Sequence, residues 1–396
     1  MQDWNDGLEA ASEAWRRWCS ALERTGLAAL ERTLSHDEID LAEGVRYLSR
    51  LTRLALQGQM ENNDSAHPYL SHGLSPTMKM GGDNPQGIYL SAPINGTDTF
   101  VVRGTRGSAV WVSFMAQRRP ECVAQGLGVF GDAIFAPDLG VDADGSFELV
   151  VSPDEHAGNW IGSDEYSARL MIRQFFGDDV VPMDLTIENT TRGDEPKAPL
   201  ALDDAVARLE RAASHFELFV PLMQSELLAK GATANRFATD IGDPTSNHGG
   251  VPGGNAVTCR WQLELDEALV VRVTPPDPCP YWDVQVGNGW YETWDYRHFI
   301  AGICAPQAVM NDDGSVTLVV SHADPGTVNW LEAAHHRTGH LAIRWQLTDG
   351  QLPIPDTEVM PVAEVGARTG LTRVSLDQRS AQRRAQRSRV EQRFRV

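Results

Sequence analysis

The chain has 396 residues, 42% of them hydrophobic, and a formal charge of −20. That length with ordinary apolar content can bury a large core and usually divides into two or more domains. The negative balance argues against a nucleic-acid-binding body, because phosphates attract Lys and Arg, and no segment approaches the roughly 20 apolar residues that span a bilayer.

The opening residues, Met1-Gln-Asp-Trp, lack the basic-then-apolar order of a secretion signal. The five cysteines (Cys19, Cys122, Cys259, Cys279, Cys304) are scattered, with no close pair of the kind used for zinc or disulfide exchange. A reduced, cytoplasmic protein with no membrane or nucleic-acid partner is the expectation. Residues 1–80 read as a helical cap, or dimerisation element, followed by a loop. Trp15, Trp18, Cys19 and Leu22 share one helical face. Ser35-His-Asp-Glu38 has the form of a capping box, and Leu41, Val45, Leu48, Leu51 and Leu54 repeat behind it at helical steps. Arg46, Arg50 and Arg53 form a second stripe, read as a solvated or salt-bridged face. The segment 61–85 is rich in Asn, Gly, Pro and His, which is loop chemistry, with His67 and His72 inside it.

Residues 81–192 form a first β unit and 255–365 a second. Between them, 193–254 is a connector with a helix beginning at Asp203 and a Gly/Pro-rich turn at 249–254. That turn lacks the Lys-Ser/Thr ending of a phosphate loop, and Asp203-Asp204 suits a helix dipole better than a metal. From Arg373 onward the tail, 366–396, carries eight arginines against Asp377 and Glu391, +6 in all, which leaves −26 on the remainder. Such a tail is expected to lie on its own acidic body or on a neighbouring subunit.

The two β units share a skeleton. Asp144-Gly145-Ser146 and Asp313-Gly314-Ser315 each lead into an apolar run, a polar loop closing on Asn-Trp (Asn159-Trp160, Asn329-Trp330), and a strand carrying Arg173 or Arg344. Phe100-Val-Val-Arg103 and Leu269-Val-Val-Arg272 stand at the same separation as the two Gly-Ser turns. Strand alternation agrees too: Phe147, Leu149 and Val151 match Val316, Leu318 and Val320 as inward rows, and Val112, Phe114 and Ala116 match Trp282, Val284 and Val286. The expected fold is therefore α+β but mainly β, two jelly-roll-like β-sandwiches from an internal duplication with helical additions.

Segments 281–288 (Tyr-Trp-Asp-Val-Gln-Val-Gly-Asn), 294–297 (Trp-Asp-Tyr-Arg) and 321–330 (Ser-His-Ala-Asp-Pro-Gly-Thr-Val-Asn-Trp), with Arg344-Trp345, resemble the bacterial family of domain of unknown function 1214. Segment 81–89 (Gly-Gly-Asp-Asn-Pro-Gln-Gly-Ile-Tyr) resembles the region upstream of that domain in longer members. The resemblance implies a β-sandwich and supplies no reaction.

Features present in both halves, including Asn159/Asn329, Trp160/Trp330 and Arg173/Arg344, are read as serving folding, with the Asn capping loop backbone and the Trp packing a sandwich end. Features confined to the second half are the candidates for chemistry. His322 stands where the first half has Pro153, with Asp324 two residues on, a pairing suited to proton transfer near neutral pH or to bracing a turn. His335-His336 replace Glu165-Tyr166, and Asp295-Tyr296-Arg297 has no counterpart. No HxH or HExxH spacing supports a metal, and no GxSxG elbow supports a serine nucleophile. Six of the eleven tryptophans lie in the second unit. Trp290 and Trp294, with Tyr291 and Tyr296, could line a pocket for a flat or greasy ligand or plug the space beneath the amino-terminal helices.

The functional expectation is an enzyme acting on a small, largely apolar molecule by acid–base chemistry without a cofactor, as a lyase, isomerase or hydrolase. His322 would transfer the proton, Asp324 orient it and Asp295 serve as a second carboxylate. Tyr296, Arg297, His335, His336 and Asn329 would be polar contacts, and Trp290 and Trp294 the walls. The alternative is a non-catalytic carbohydrate- or lipid-binding or assembly protein. A homodimer is compatible with both.

Overall fold

The computed structural model describes residues 2–119, 122, 129–229, 233–237, 254–346, 348 and 352–395. The Gly/Pro-rich turn lies outside them except for Gly254. Two helices open the chain, α1 (Gln2–Leu30) and α2 (Glu38–Leu56), and a third, α3 (Leu202–Ala229), packs across both. Trp18, Ala21, Tyr47, Leu51, Ala55, Ala213, Phe216 and Val220 share their core. The cap of α2 is Asp37, whose carboxylate accepts the Asp40 N–H at 2.8 Å, rather than Ser35, whose hydroxyl donates to Asp37. Leu41 and Val45 are about half exposed, as is Trp15. The reason is tertiary: Gly44 lets the Trp290 ring lie directly on α2, where a Cβ would come within 2.4 Å of it. The Gly44–Tyr47–Leu51 line therefore faces inward instead.

The first unit contains β1 (Ser71–Leu74), β2 (Gly87–Pro93), β3 (Phe100–Thr105), β4 (Trp111–Arg118), β5 (Phe130–Phe135), β6 (Ser146–Ser152), β7 (Asn159–Gly162), β8 (Ser167–Phe175) and β9 (Asp184–Asn189). They form two sheets, β1-β2-β8-β4-β5 and β7-β6-β3-β9. After α3 come β10 (Gly254–Gln262), β11 (Glu267–Val273), β12 (Tyr281–Gly287), β13 (Gly302–Cys304), β14 (Val316–Ser321), β15 (Trp330–Glu332), β16 (Thr338–Gln346) and β17 (Asp356–Pro361). Their sheets, β10-β16-β12-β13 and β15-β14-β11-β17, repeat the order of the first unit strand for strand, with β1 as the addition. Register repeats as well. Phe100 faces Val151 and Leu269 faces Val320, and the edge pairs β6/β7 and β14/β15 are both parallel. The chain is a duplicated β-sandwich with helical additions.

The inward rows form two separate cores, one around Phe100, Phe114, Phe147 and Leu149, the other around Trp261, Trp282, Leu318 and Trp345. The repeated asparagines rivet the same loop in each unit. Asn159 bonds both backbone groups of Gly140, and Asn329 bonds both of Val309, at 2.7–2.9 Å. Each following tryptophan gives its indole N–H to the strand-end serine, Trp160 to Ser152 at 3.1 Å and Trp330 to Ser321 at 3.0 Å.

The units differ in what covers them. In the second, the outer face of β14 and β11 is sealed by Met360, Val365 and Leu371, the last two from or beside α4 (Val365–Thr369). The final helix, α5 (Leu376–Arg393), lies on the same unit and reaches the first through Arg389 and Asp178, 3.1 Å apart. Among the described residues no helix is long and apolar enough to cross a membrane.

Candidate functional site between the two units

In a β-strand, residues pointing away from one core meet whatever covers the outer face. On β12 and β16 these include Tyr281, Asp283 and Gln285, and His340, Arg344 and Gln346, polar side chains that are almost wholly buried except Arg344. On β2, β4 and β8 they include Tyr89, Trp111, Ser113, Arg173 and Phe175. The two faces meet. Tyr89 packs edge-on to Phe175 at 6.0 Å, and Phe175 against Tyr281 at 5.7 Å.

The loop 79–86 is threaded into this seam. Gly81 and Gly82 both adopt positive φ (66° and 65°), and a Cβ on Gly82 would stand 2.9 Å from the Tyr291 ring, so the sequence needs glycine here. That close approach lets the Gly82 N–H donate to the Tyr291 carbonyl at 2.6 Å. The Gly82 carbonyl accepts from Arg344 Nη2 at 2.7 Å and Gln285 Nε2 at 2.8 Å. Asn84 follows. Its N–H donates to the Tyr89 hydroxyl oxygen at 3.0 Å, and its side-chain amide to Asp283 at 2.9 Å. Asp283 in turn stands 3.5 Å from Arg344. Tyr89, Asn84, Asp283 and Arg344 are thus linked in one chain across the two units.

Beside it lies a second buried cluster. Lys79, 0% exposed, bonds Asp83 at 2.6 Å and Thr293 at 2.9 Å and stands 4.0 Å over the Tyr296 ring, while Arg50 of α2 pairs with Glu292. Burial pushes Glu292 up to about 8 against the pull of Arg50, and it lowers Lys79 against the pull of Asp83.

Tyr89 and Arg344 are deep in the molecule yet not sealed: Tyr89 is half-buried, and 19% of the Arg344 side chain remains accessible. They and Arg173, 6% exposed and directly across from Tyr89 in the sheet, mark a narrow recess where the seam is not fully closed. Burial pushes the Tyr89 phenol up to about 12, while Arg344 and Arg173 pull the other way. The phenol is therefore protonated near neutral pH. Its oxygen accepts from Asn84, and no acceptor among the described residues takes its hydrogen.

The residues singled out from sequence are placed elsewhere, at the far side of the second unit and beneath the helices. His322 is half-buried against Trp261 and parallel to exposed His335, with ring centroids 6.2 Å apart, and burial lowers its pKa. Its ring nitrogens are covered and make no hydrogen bond of ordinary geometry to any described residue. Asp324 does not orient it. That carboxylate caps the turn at Gly326 and is clasped by Arg379 of α5 at 2.8 and 3.0 Å. Asp295 is held by Arg297 at 2.6 and 2.8 Å.

Trp290 is the plug beneath the helices, its indole N–H donating to the Asp40 carbonyl and its ring 5.3 Å from Tyr47. Trp294 stacks on His336 at 4.4 Å and donates to the Glu332 carbonyl. Asn329 is occupied by its loop. Tyr296 alone touches the buried clusters, through Lys79 and Arg393. The sequence signals for the seam were residues 81–85 at the end of the segment 61–85, read as loop chemistry, and the repeated arginines, read as scaffold.

The fold defines a class, duplicated β-sandwich proteins with helical additions, and here both halves contribute polar side chains to the seam between them. The profile described as "Protein of unknown function (DUF1214)" matches residues 263–349. A crystal structure of an uncharacterized protein from Burkholderia cenocepacia is 33% identical, covers 90% of this chain and 99% of its own, and superposes with a TM-score of 0.82. The chain belongs to this family. A protein from Vibrio parahaemolyticus is 13% identical over 79% of this chain and 98% of its own, with a TM-score of 0.46. No functionally curated protein matches.

Proposed function

We propose that the protein is an enzyme acting on a small organic molecule by acid–base chemistry, with the recess between the units as its substrate site and Tyr89 as the proton donor. The observation that supports this reading is the state of the Tyr89 phenol. Its oxygen is held by the Asn84 N–H, no acceptor among the described residues takes its hydrogen, and Arg344 and Arg173 offset part of the burial that disfavours the phenolate. Beside it Phe175 and Tyr281 pack on one another with Trp111 and Cys304, which closes that part of the seam.

The test begins with a ligand found by thermal-shift screening of small metabolites, whose conversion and solvent-deuterium uptake are followed by NMR. Tyr89→Phe should leave its affinity within a few-fold and lower turnover at least about 100-fold. Turnover unchanged in Tyr89→Phe would remove the phenol from the chemistry. A ligand that binds the recess but is never converted would make the protein a binding module, a reading favoured by Asp283 being already engaged by Asn84 and Arg344.

A further inference from the structure

The duplication supplies an internal control for the recess. Arg344 and Arg173 hold equivalent places on β16 and β8, and each faces a β4-type residue across the sheet. For Arg344 that residue is Asp283, which gives it a countercharge at 3.5 Å. For Arg173 it is Ser113, a buried hydroxyl with no hydrogen-bond partner among the described residues. On its other side Arg344 has Ala256 and Arg173 has Tyr89.

Arg173 is only 6% exposed, and its polar contact among the described residues is the Met115 sulfur at 3.9 Å, with the Phe130 ring 6.0 Å away. No carboxylate among the described residues pairs with it. A guanidinium cannot shed its proton in this range, and an unpaired buried charge is strongly unfavourable. Burial accordingly lowers its pKa, with Arg344 adding like-charge repulsion.

We infer that the recess binds the carboxylate of a flat organic acid against Arg173, filling the place that Asp283 fills in the other half. This deepens the reading of the recess as the substrate site and rests on it. The guanidinium fork offers two parallel N–H donors to a planar carboxylate. The Tyr89 hydroxyl, directly across the strand pair, gives its hydrogen to no acceptor among the described residues and is placed to offer it to the same acid or to the atom beside it. Selectivity for acid over neutral analogue follows from the charge alone, since an amide of the same shape leaves Arg173 uncompensated.

The experiment compares benzoate with benzamide by isothermal titration on the full chain, in wild type and in Ser113→Asp. That variant copies the arrangement of Asp283 and Arg344, so its melting temperature should not fall. Benzoate is expected to bind wild type at least tenfold more tightly than benzamide and to lose at least tenfold in Ser113→Asp, while benzamide changes little. Tyr89→Phe should still bind benzoate, which separates anion capture from proton donation. Benzoate and benzamide binding equally, in competition with one another, would overturn the carboxylate assignment while leaving the recess as a site. Undiminished benzoate binding in Ser113→Asp would overturn it too, and binding of neither probe to wild type would overturn both. Should Ser113→Asp fail to fold, the wild-type comparison of acid with amide decides the question.

Discussion

Protonating His336 would place a charge between the Trp294 ring and the start of α2, in a site 4% exposed. Burial holds its pKa down to about 4. A group whose pKa is depressed by folding stabilises the native state above its ordinary value near 6.5, and that contribution drains away as pH falls towards the folded value. The protein should therefore lose stability between pH 6.5 and 4, by up to about 3 kcal/mol from this ring. His336→Phe keeps the stack and cannot take a proton, so the difference between its melting temperatures at pH 7 and pH 4.5 should be smaller than in wild type. It should not vanish, because His215, stacked on Phe219, is also held down to about 4 by burial. An equal acid sensitivity in variant and wild type would count against this account.

At the scale of elements, α5 is attached by polar contacts more than by apolar ones. Arg379, 5% exposed, grips Asp324 with two bonds, donates to the Thr327 carbonyl and lies 4.8 Å from the Trp330 ring. Gln386 donates to the carbonyls of Tyr296 and Phe299, and Arg383 pairs with Glu332 at 2.9 Å. Arg379→Ala leaves Asp324 and a buried carbonyl short of a donor, and should cost about 2–3 kcal/mol in urea unfolding. A loss below 0.5 kcal/mol would mean the helix is held by other contacts.

The basic tail was legible as a surface for an acidic body, since its charge is plain in the residues. Which carboxylates it meets was not, and Asp324 therefore looked free to serve His322. The strands were legible because alternation fixes their faces: Val316, Leu318 and Val320 enter the sandwich core, while Val319 between them enters the cluster on the outer face. The helices were less so. Leu41 and Val45 obey the helical step and still face solvent, because a ring from the second unit sits on Gly44.

For the molecule as a whole, the seam makes two sandwiches one cooperative body. Asn84–Asp283, Gly82–Arg344, Lys79–Thr293 and the Arg389–Asp178 pair all cross between sequence-distant parts. Opening the seam would expose buried charges in pieces that no longer match. Calorimetry should show a single transition with equal van't Hoff and calorimetric enthalpies. Two resolved peaks would show that each sandwich melts alone.

The seam is also where reading from sequence stopped. Strand alternation says that Arg173 and Arg344 leave their own cores, but not that both enter the same space, and Lys79, Asp83 and Asn84 carry only the letters of a turn. What makes them a site is the packing of one unit on the other.

Ser113 standing where Asp283 stands has a bearing on how the chain arose. A single ancestral sandwich pairing with its twin would have been bound to present identical side chains on both sides of the contact, both arginines neutralised or neither. Joining the twins in one polypeptide released that constraint, so one side could acquire its own counterion while the other kept its charge for an outside molecule.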